Sequence, residues 1–196
     1  MKRGHIYTLG FMVVLTGILV FALAFAYEGF KPAITGNEQL RERRAVLDSL
    51  GLDQGLSDGE VNATFESLIK PGDVNGNEAY EYMQDGEVKG YALPFTGAGL
   101  WGSISGYLGV NADMTRTTGI VFTSQNETPG LGGRIDEAQY KEQFRGLPVD
   151  ADRPIEYGVH SDYRVDAITG ATQTSSAVLR MVNRMMQDVI FAGEAD

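Results

Sequence analysis

The sequence predicts an α+β protein: an antiparallel sheet flanked by helices, preceded by one N-terminal transmembrane helix. Three features carry that expectation. Leu9 to Tyr27 is almost continuously apolar, interrupted only by Gly10, Thr16 and Gly17. From Tyr80 to Ser124 apolar residues recur in short, loosely alternating runs divided by turn residues, the pattern of neighbouring antiparallel strands. On either side of that block they return at helical spacing. Leu40, Val46, Leu47 and Leu50 precede it, and Val178, Leu179, Val182, Met185, Met186, Val189 and Ile190 follow it.

The apolar run has close to the roughly 20 residues that span a bilayer. Lys2 and Arg3 precede it and Glu28 follows it, so the positive-inside rule places the N-terminus in the cytoplasm and the rest of the chain outside. A cleavable signal peptide is the competing reading, because Ala24-Phe25-Ala26 has the small-x-small form of a cleavage site. The run is longer than the usual apolar core of such a peptide, about 7–15 residues, which favours a retained anchor. The expected organisation is an anchor over residues 1–30 and an extracytoplasmic domain over residues 31–196.

With 196 residues there is room for one domain plus that appendage. A formal charge of −10 excludes the basic face that a nucleic-acid binder needs. There is no cysteine, which excludes disulfides, thiol nucleophiles and cysteine-held iron–sulfur clusters within the chain. His5 and His160 are too few for a histidine metal centre. Redox chemistry in this chain would need an organic cofactor or partners.

Taken in order, Phe30 to Thr35 reads as a connector holding Pro32, and Asn37 to Leu50 as an amphipathic helix ended by Gly51. Its Arg41, Arg43 and Arg44 are expected on a solvated face, with lipid headgroups or contact with another protein as the alternative. A second helix is expected from Asp58 to Ile69, with Val61, Phe65 and Leu68 inward, stopping before Pro71-Gly72. Asp73 to Asn77 lacks the glycine and glutamate that a calcium loop requires at its sixth and twelfth positions, since Glu78 and Gln84 stand there. It reads as a turn. Asp85-Gly86 predicts a hairpin, Ile104 to Val110 and Gly119 to Ser124 further strands, and Asp136 to Phe144 a short helix. Tyr157 to Val165 reads as a strand, with His160 structural or exposed, and Gly193 to Asp196 as an acidic tail.

Three stretches carry the functional signal. Gly97-Ala98-Gly99-Leu100-Trp101-Gly102 has the letters of a dinucleotide loop. A strand rather than a helix is expected after it, and no acid stands near Val121, so that reading fails. The glycines instead permit a close approach to the backbone. Asn126 to Gly133 is rich in glycine and proline, which fixes a turn-rich loop. Asp166 to Ser176 brings Gly170 and Ala171 together with the hydroxyls of Thr169, Thr172, Thr174, Ser175 and Ser176, between an expected strand and the last helix. Thr174 or Ser175 is the expected N-cap of that helix. A helix start behind a tight turn offers free N–H groups suited to a phosphate.

Asp166-Ala167-Ile168-Thr169-Gly170-Ala171-Thr172 resembles the flavinylation motif Asp-x-x-(Ser/Thr)-Gly-Ala-Thr of the FMN-binding domain family. That family includes NqrC of the sodium-translocating NADH:quinone reductase and RnfG of the Rnf complex. Glu127-Thr128-Pro129-Gly130-Leu131-Gly132 resembles its second recurring motif, and Gly99 to Gly102 the corresponding segment of the NqrC branch. The resemblance implies FMN attached to Thr172 through a phosphoester, installed by a flavin transferase. It implies that Asp166, Thr169, Gly170, Ala171 and Thr174 shape the attachment turn. It further implies that Trp101, Glu127, Thr128, Gly130, Leu131 and Gly132 lie against the flavin, with Leu131 on the ring. Backbone N–H groups of Gly130 to Gly133 are additional candidate donors to the ring.

The implied function is electron relay inside an ion-translocating membrane oxidoreductase, Rnf or Na+-NQR in type, with other integral-membrane subunits as partners. The domain would stand on the periplasmic side of the inner membrane. A stand-alone flavinylated carrier and a non-redox module holding a phosphorylated ligand are the alternatives. A hydrolase using Thr172 as nucleophile would need an adjacent base, and none is evident.

Overall fold

The computed structural model describes residues 2–158 and 162–192, with side chains from Gly4 onward. His160 and Gly193 to Asp196 lie outside the described residues. The chain divides into two units, Met1–Gln39 and Leu40–Asp196.

The first unit is helical throughout and belongs to α1, Lys2–Ser49. This helix is long and apolar enough to cross a membrane, with a mean hydropathy of 2.6 over its most apolar window. Its apolar side chains, among them Phe21, Leu23 and Phe25, are exposed. The expected connector at Phe30 to Thr35 is helix instead, and the helix expected to begin at Asn37 is the end of α1. Pro32 removes one backbone donor, and with no glycine turn or cap beside it the helix runs on through that gap.

The second unit is built on a five-stranded antiparallel meander, β1 Ile69–Val74, β2 Asn77–Gln84, β3 Glu87–Ala98, β4 Ser103–Asn111 and β5 Thr117–Ser124, paired in sequence order. The hairpin at Asp85-Gly86 forms as expected, with φ of 52° and 81°. β1 was not expected, because Pro71-Gly72 reads as a stop. It is an edge strand, where a missing donor can face away from the ladder. The turn that follows shrinks to Asn75-Gly76.

Alternation along the central strands sorts their side chains between two faces. On one face Ala92 and Ile69 join Val46, Leu47, Leu50 and Val61, from the end of α1 and from α2, Asp58–Leu68. A capping box starts α2, the Glu60 carboxylate accepting from the Ser57 N–H at 2.9 Å. The arginines beside it are paired rather than solvated. Arg43 reaches Glu66 at 2.9 Å and lies over the Phe65 ring, and Arg44 bonds Asp53 and Asp58. Acids brought in by the following loop and helix claim these cations.

On the other face Leu93, Phe95, Leu108, Val110 and Ile120 pack with Phe144, Val178 and Val182. Each such fully buried side chain contributes about 1.5–3 kcal/mol. The segment expected as one helix over Asp136 to Phe144 is a 3-10 turn, Gly132–Asp136, followed by the short α3, Ala138–Glu142. The strand expected from Tyr157 to Val165 is two short parallel pieces, β6 Glu156–Tyr157 and β7 Arg164–Val165. The last helix is α4, Thr172–Met185, with a π-turn over Met186–Ile190. Asn183 fastens it to the preceding loop, its side-chain amide donating to the Ile155 carbonyl and accepting from the Ile155 N–H, both at 2.9 Å.

Candidate cofactor site

The three stretches singled out in the sequence lie at the corners of the sheet and meet around one carboxylate. Gly97 and Ala98 prove to be the end of β3, paired with Ile104 and Ser103. The loop therefore shrinks to Gly99–Gly102, closed by the Gly99 N–H donating to the Gly102 carbonyl at 2.7 Å. It raises Leu100 and Trp101 into solvent, Trp101 being 70% exposed, so the chain's one tryptophan is not a core residue.

Glu127 sits beneath that loop, 5% exposed. Its Oε1 accepts from the Leu100 and Trp101 N–H groups at 2.9 and 3.0 Å, and its Oε2 from the Thr174 hydroxyl at 2.5 Å. Gly99 and Gly132 make room for it. A Cβ on Gly99 would lie 2.5 Å from Glu127 Oε1, and one on Gly132 would lie 2.9 Å from Oε2 and 2.6 Å from Thr174 Oγ1.

The Glu127–Gly133 loop coils on itself. The Thr128 carbonyl accepts from the N–H groups of Leu131 and Gly133 at 3.1 and 3.0 Å. Those two donors are thus occupied within the loop and do not face a ligand, contrary to expectation. Thr128 and Gly130 are exposed, and Leu131 is 45% exposed.

Gly170, at φ 81°, turns the chain into α4, and Ala171 takes the N-cap position. The expected cap at Thr174 or Ser175 is thereby corrected. Both hydroxyls are buried within the first turn and make tertiary or loop contacts, Thr174 to Glu127 and Ser175 accepting from the Ile168 N–H at 3.1 Å. Several hydroxyls compete locally for the cap in this segment, and packing decides among them. Thr172 is the first residue of the helix and is exposed. The N–H groups of Thr172, Gln173 and Thr174 precede the first helical bond, from Ser175 to Ala171 at 3.0 Å.

Asp166 and Thr169 turn elsewhere. They line a cleft with Arg134, Gln139, Tyr140 and Gln143, and the Asp166 N–H donates to Gln143 Oε1 at 2.6 Å. Burial, reinforced by the Tyr157 hydroxyl 3.4 Å away, pushes the Tyr140 phenol above its ordinary range. Leu100 was missed as a site residue. An exposed leucine between glycines next to a tryptophan was the available signal.

The arrangement fits a flat, phosphate-bearing group. Leu100, Trp101 and Leu131 are apolar yet exposed, two glycines keep backbone close to the carboxylate beneath them, and an accessible threonine stands at a helix start with free amides. This fold and site define a class, the flavin carriers built on an antiparallel sheet.

Residues 99–187 match the family model described as FMN-binding domain. The NqrC protein of the Na(+)-translocating NADH-quinone reductase from Pasteurella multocida is 37% identical over 113 residues, 54% of this chain and 44% of the relative. The protein of the same description from Pseudomonas aeruginosa is 25% identical over 80% of this chain and 81% of its own. The crystal structure of the Parabacteroides distasonis counterpart superposes with a TM-score of 0.67 at 25% identity, covering 80% of this chain and 93% of that one. Apart from the Pseudomonas match, the chain spans about half the length or less of the curated relatives it matches. The chain is an NqrC-type member of the FMN-binding domain family.

Proposed function

We propose that this chain is the covalently flavinylated electron-relay subunit of a Na+-NQR-type membrane oxidoreductase. The relatives named as components of that reductase favour this branch over an Rnf-type one. The observation that carries the reading is the position of Thr172, an exposed hydroxyl at the start of a 14-residue helix, beside the loops that raise Trp101 and Leu131. FMN bound there supplies the redox chemistry. Thr172 is its attachment point: the hydroxyl loses its proton and a phosphorus–oxygen bond forms, so the net gain is FMN less one water. The N–H groups of the first turn of α4 face the negative charge of the phosphoester. Trp101, Leu100 and Leu131 offer apolar surface to the ring, and Gly170 lets Leu131 close over the turn, a Cβ there lying 3.3 Å from Leu131 Cδ2. Asp166 and Thr169, facing the separate cleft, are positioned to present the motif to the flavin transferase.

In this reading α1 anchors the chain in the inner membrane, with residues 1–30 as the anchor and residues 31–196 as a periplasmic domain, next to the other integral-membrane subunits. The test is the intact mass of the denatured chain after co-expression with a flavin transferase, with fragmentation to place the adduct. FMN less one water on Thr172, lost in Thr172→Ala, is the expected result. An unmodified mass, with the transferase active on a control, overturns it. Thr172→Ala should keep the fold within about 0.5 kcal/mol, because the side chain is exposed.

A further inference from the structure

Glu127 is the one charged side chain buried among the described residues. Its partners are two backbone amides and one hydroxyl, all uncharged donors. Burying a carboxylate is costly, and an apolar residue of similar volume would fill the space without that cost. What the carboxylate alone can do is accept from three directions at once, in charge-assisted bonds stronger than neutral ones. Here those directions lead to two separate parts of the chain, the Leu100–Trp101 loop and the first turn of α4.

We propose that Glu127 is a positioning residue of the flavin site and that Thr174 acts through it. The carboxylate fixes Leu100 and Trp101 relative to the helix turn that bears Thr172, so a change at the helix start is transmitted to Trp101. Its functional meaning rests on FMN attachment at Thr172; the mechanical link between the two segments does not. Thr174 is therefore not a ligand of the phosphate through its hydroxyl, which is already directed at Glu127 Oε2.

The test uses the full chain in detergent with Glu127→Ala, Glu127→Gln and Thr174→Val, each prepared with and without a flavin transferase. Hydrogen exchange at Leu100 and Trp101 is read relative to the central strands, which removes any general loss of stability. Exchange should rise about tenfold in Glu127→Ala, the loss of one charge-assisted bond at each amide. It should rise by a smaller factor, about threefold, in Thr174→Val, although Thr174 touches neither amide. Glu127→Gln should restore near-parental exchange, because its carbonyl accepts from both amides while its NH2 meets Thr174.

In the flavinylated chain, quenching of Trp101 fluorescence should weaken at least twofold in Glu127→Ala while the mass still shows the adduct. The chain has no other tryptophan to obscure that signal. Unchanged exchange in Glu127→Ala or in Thr174→Val overturns the proposal, as does unchanged quenching at equal loading. A parent chain that takes up no FMN refutes the flavin reading instead and leaves the exchange comparison to decide the link.

Discussion

Gly132 and Thr174 belong to different motifs and meet with no room between them: a Cβ on Gly132 would lie 2.6 Å from Thr174 Oγ1. The glycine in the second motif is therefore set by a hydroxyl in the third. Gly132→Ala should displace Thr174 or Glu127 and destabilise the domain by about 1–3 kcal/mol, the usual range for overpacking. Thermal melting checks the size, and Trp101 emission checks that the disturbance reaches the Gly99–Gly102 loop.

Asn183 replaces a strand partner for Ile155, satisfying both its N–H and its carbonyl at 2.9 Å. Asn183→Ala leaves those part-buried groups without a protein partner, at about 1–3 kcal/mol for each group not recovered by water. The denaturant midpoint should fall with its slope unchanged. Flavin loading of Thr172, at the other end of α4, should stay at the parental level.

Alkaline pH should destabilise the domain. Burial, with the Tyr157 hydroxyl beside it, raises the folded pKa of Tyr140 above the ordinary phenol value of 10.0. A raised folded value gives stability that is complete below the unfolded pKa and is lost as pH climbs above it. Melting temperature should therefore decline from about pH 10 upward. Tyr140→Phe should make that decline shallower, and an equally steep decline in the variant would refute the assignment.

Arg44 holds Asp53 at 3.0 Å, Asp58 at 2.9 Å and the Leu56 carbonyl at 3.2 Å. The guanidinium is partly exposed, so Arg44→Ala should cost only about 1 kcal/mol. The difference between variant and parent should shrink in about 1 M salt, where the screening length is near ~3 Å. A salt-independent difference would mean that the stem of Arg44 acts through packing.

Features that depend on neighbouring residues were readable from the chain alone. The apolar helix follows from an unbroken run of side chains, the central strands from alternation, and the Asp85-Gly86 hairpin from a residue pair suited to positive φ. The candidate attachment threonine was legible because Gly170, Ala171 and Thr172 stand in one short turn. Tertiary structure settled what depends on distant partners. It ran α1 through Pro32, made an edge strand of Ile69–Val74, drew Arg43 and Arg44 into ion pairs, and moved the N-cap from Thr174 to Ala171. Above all it placed Glu127 under Leu100 and Trp101 and against Thr174, residues 27, 26 and 47 positions away. No local pattern encodes that contact. A carboxylate reads as a surface residue in sequence until the fold closes three donors around it.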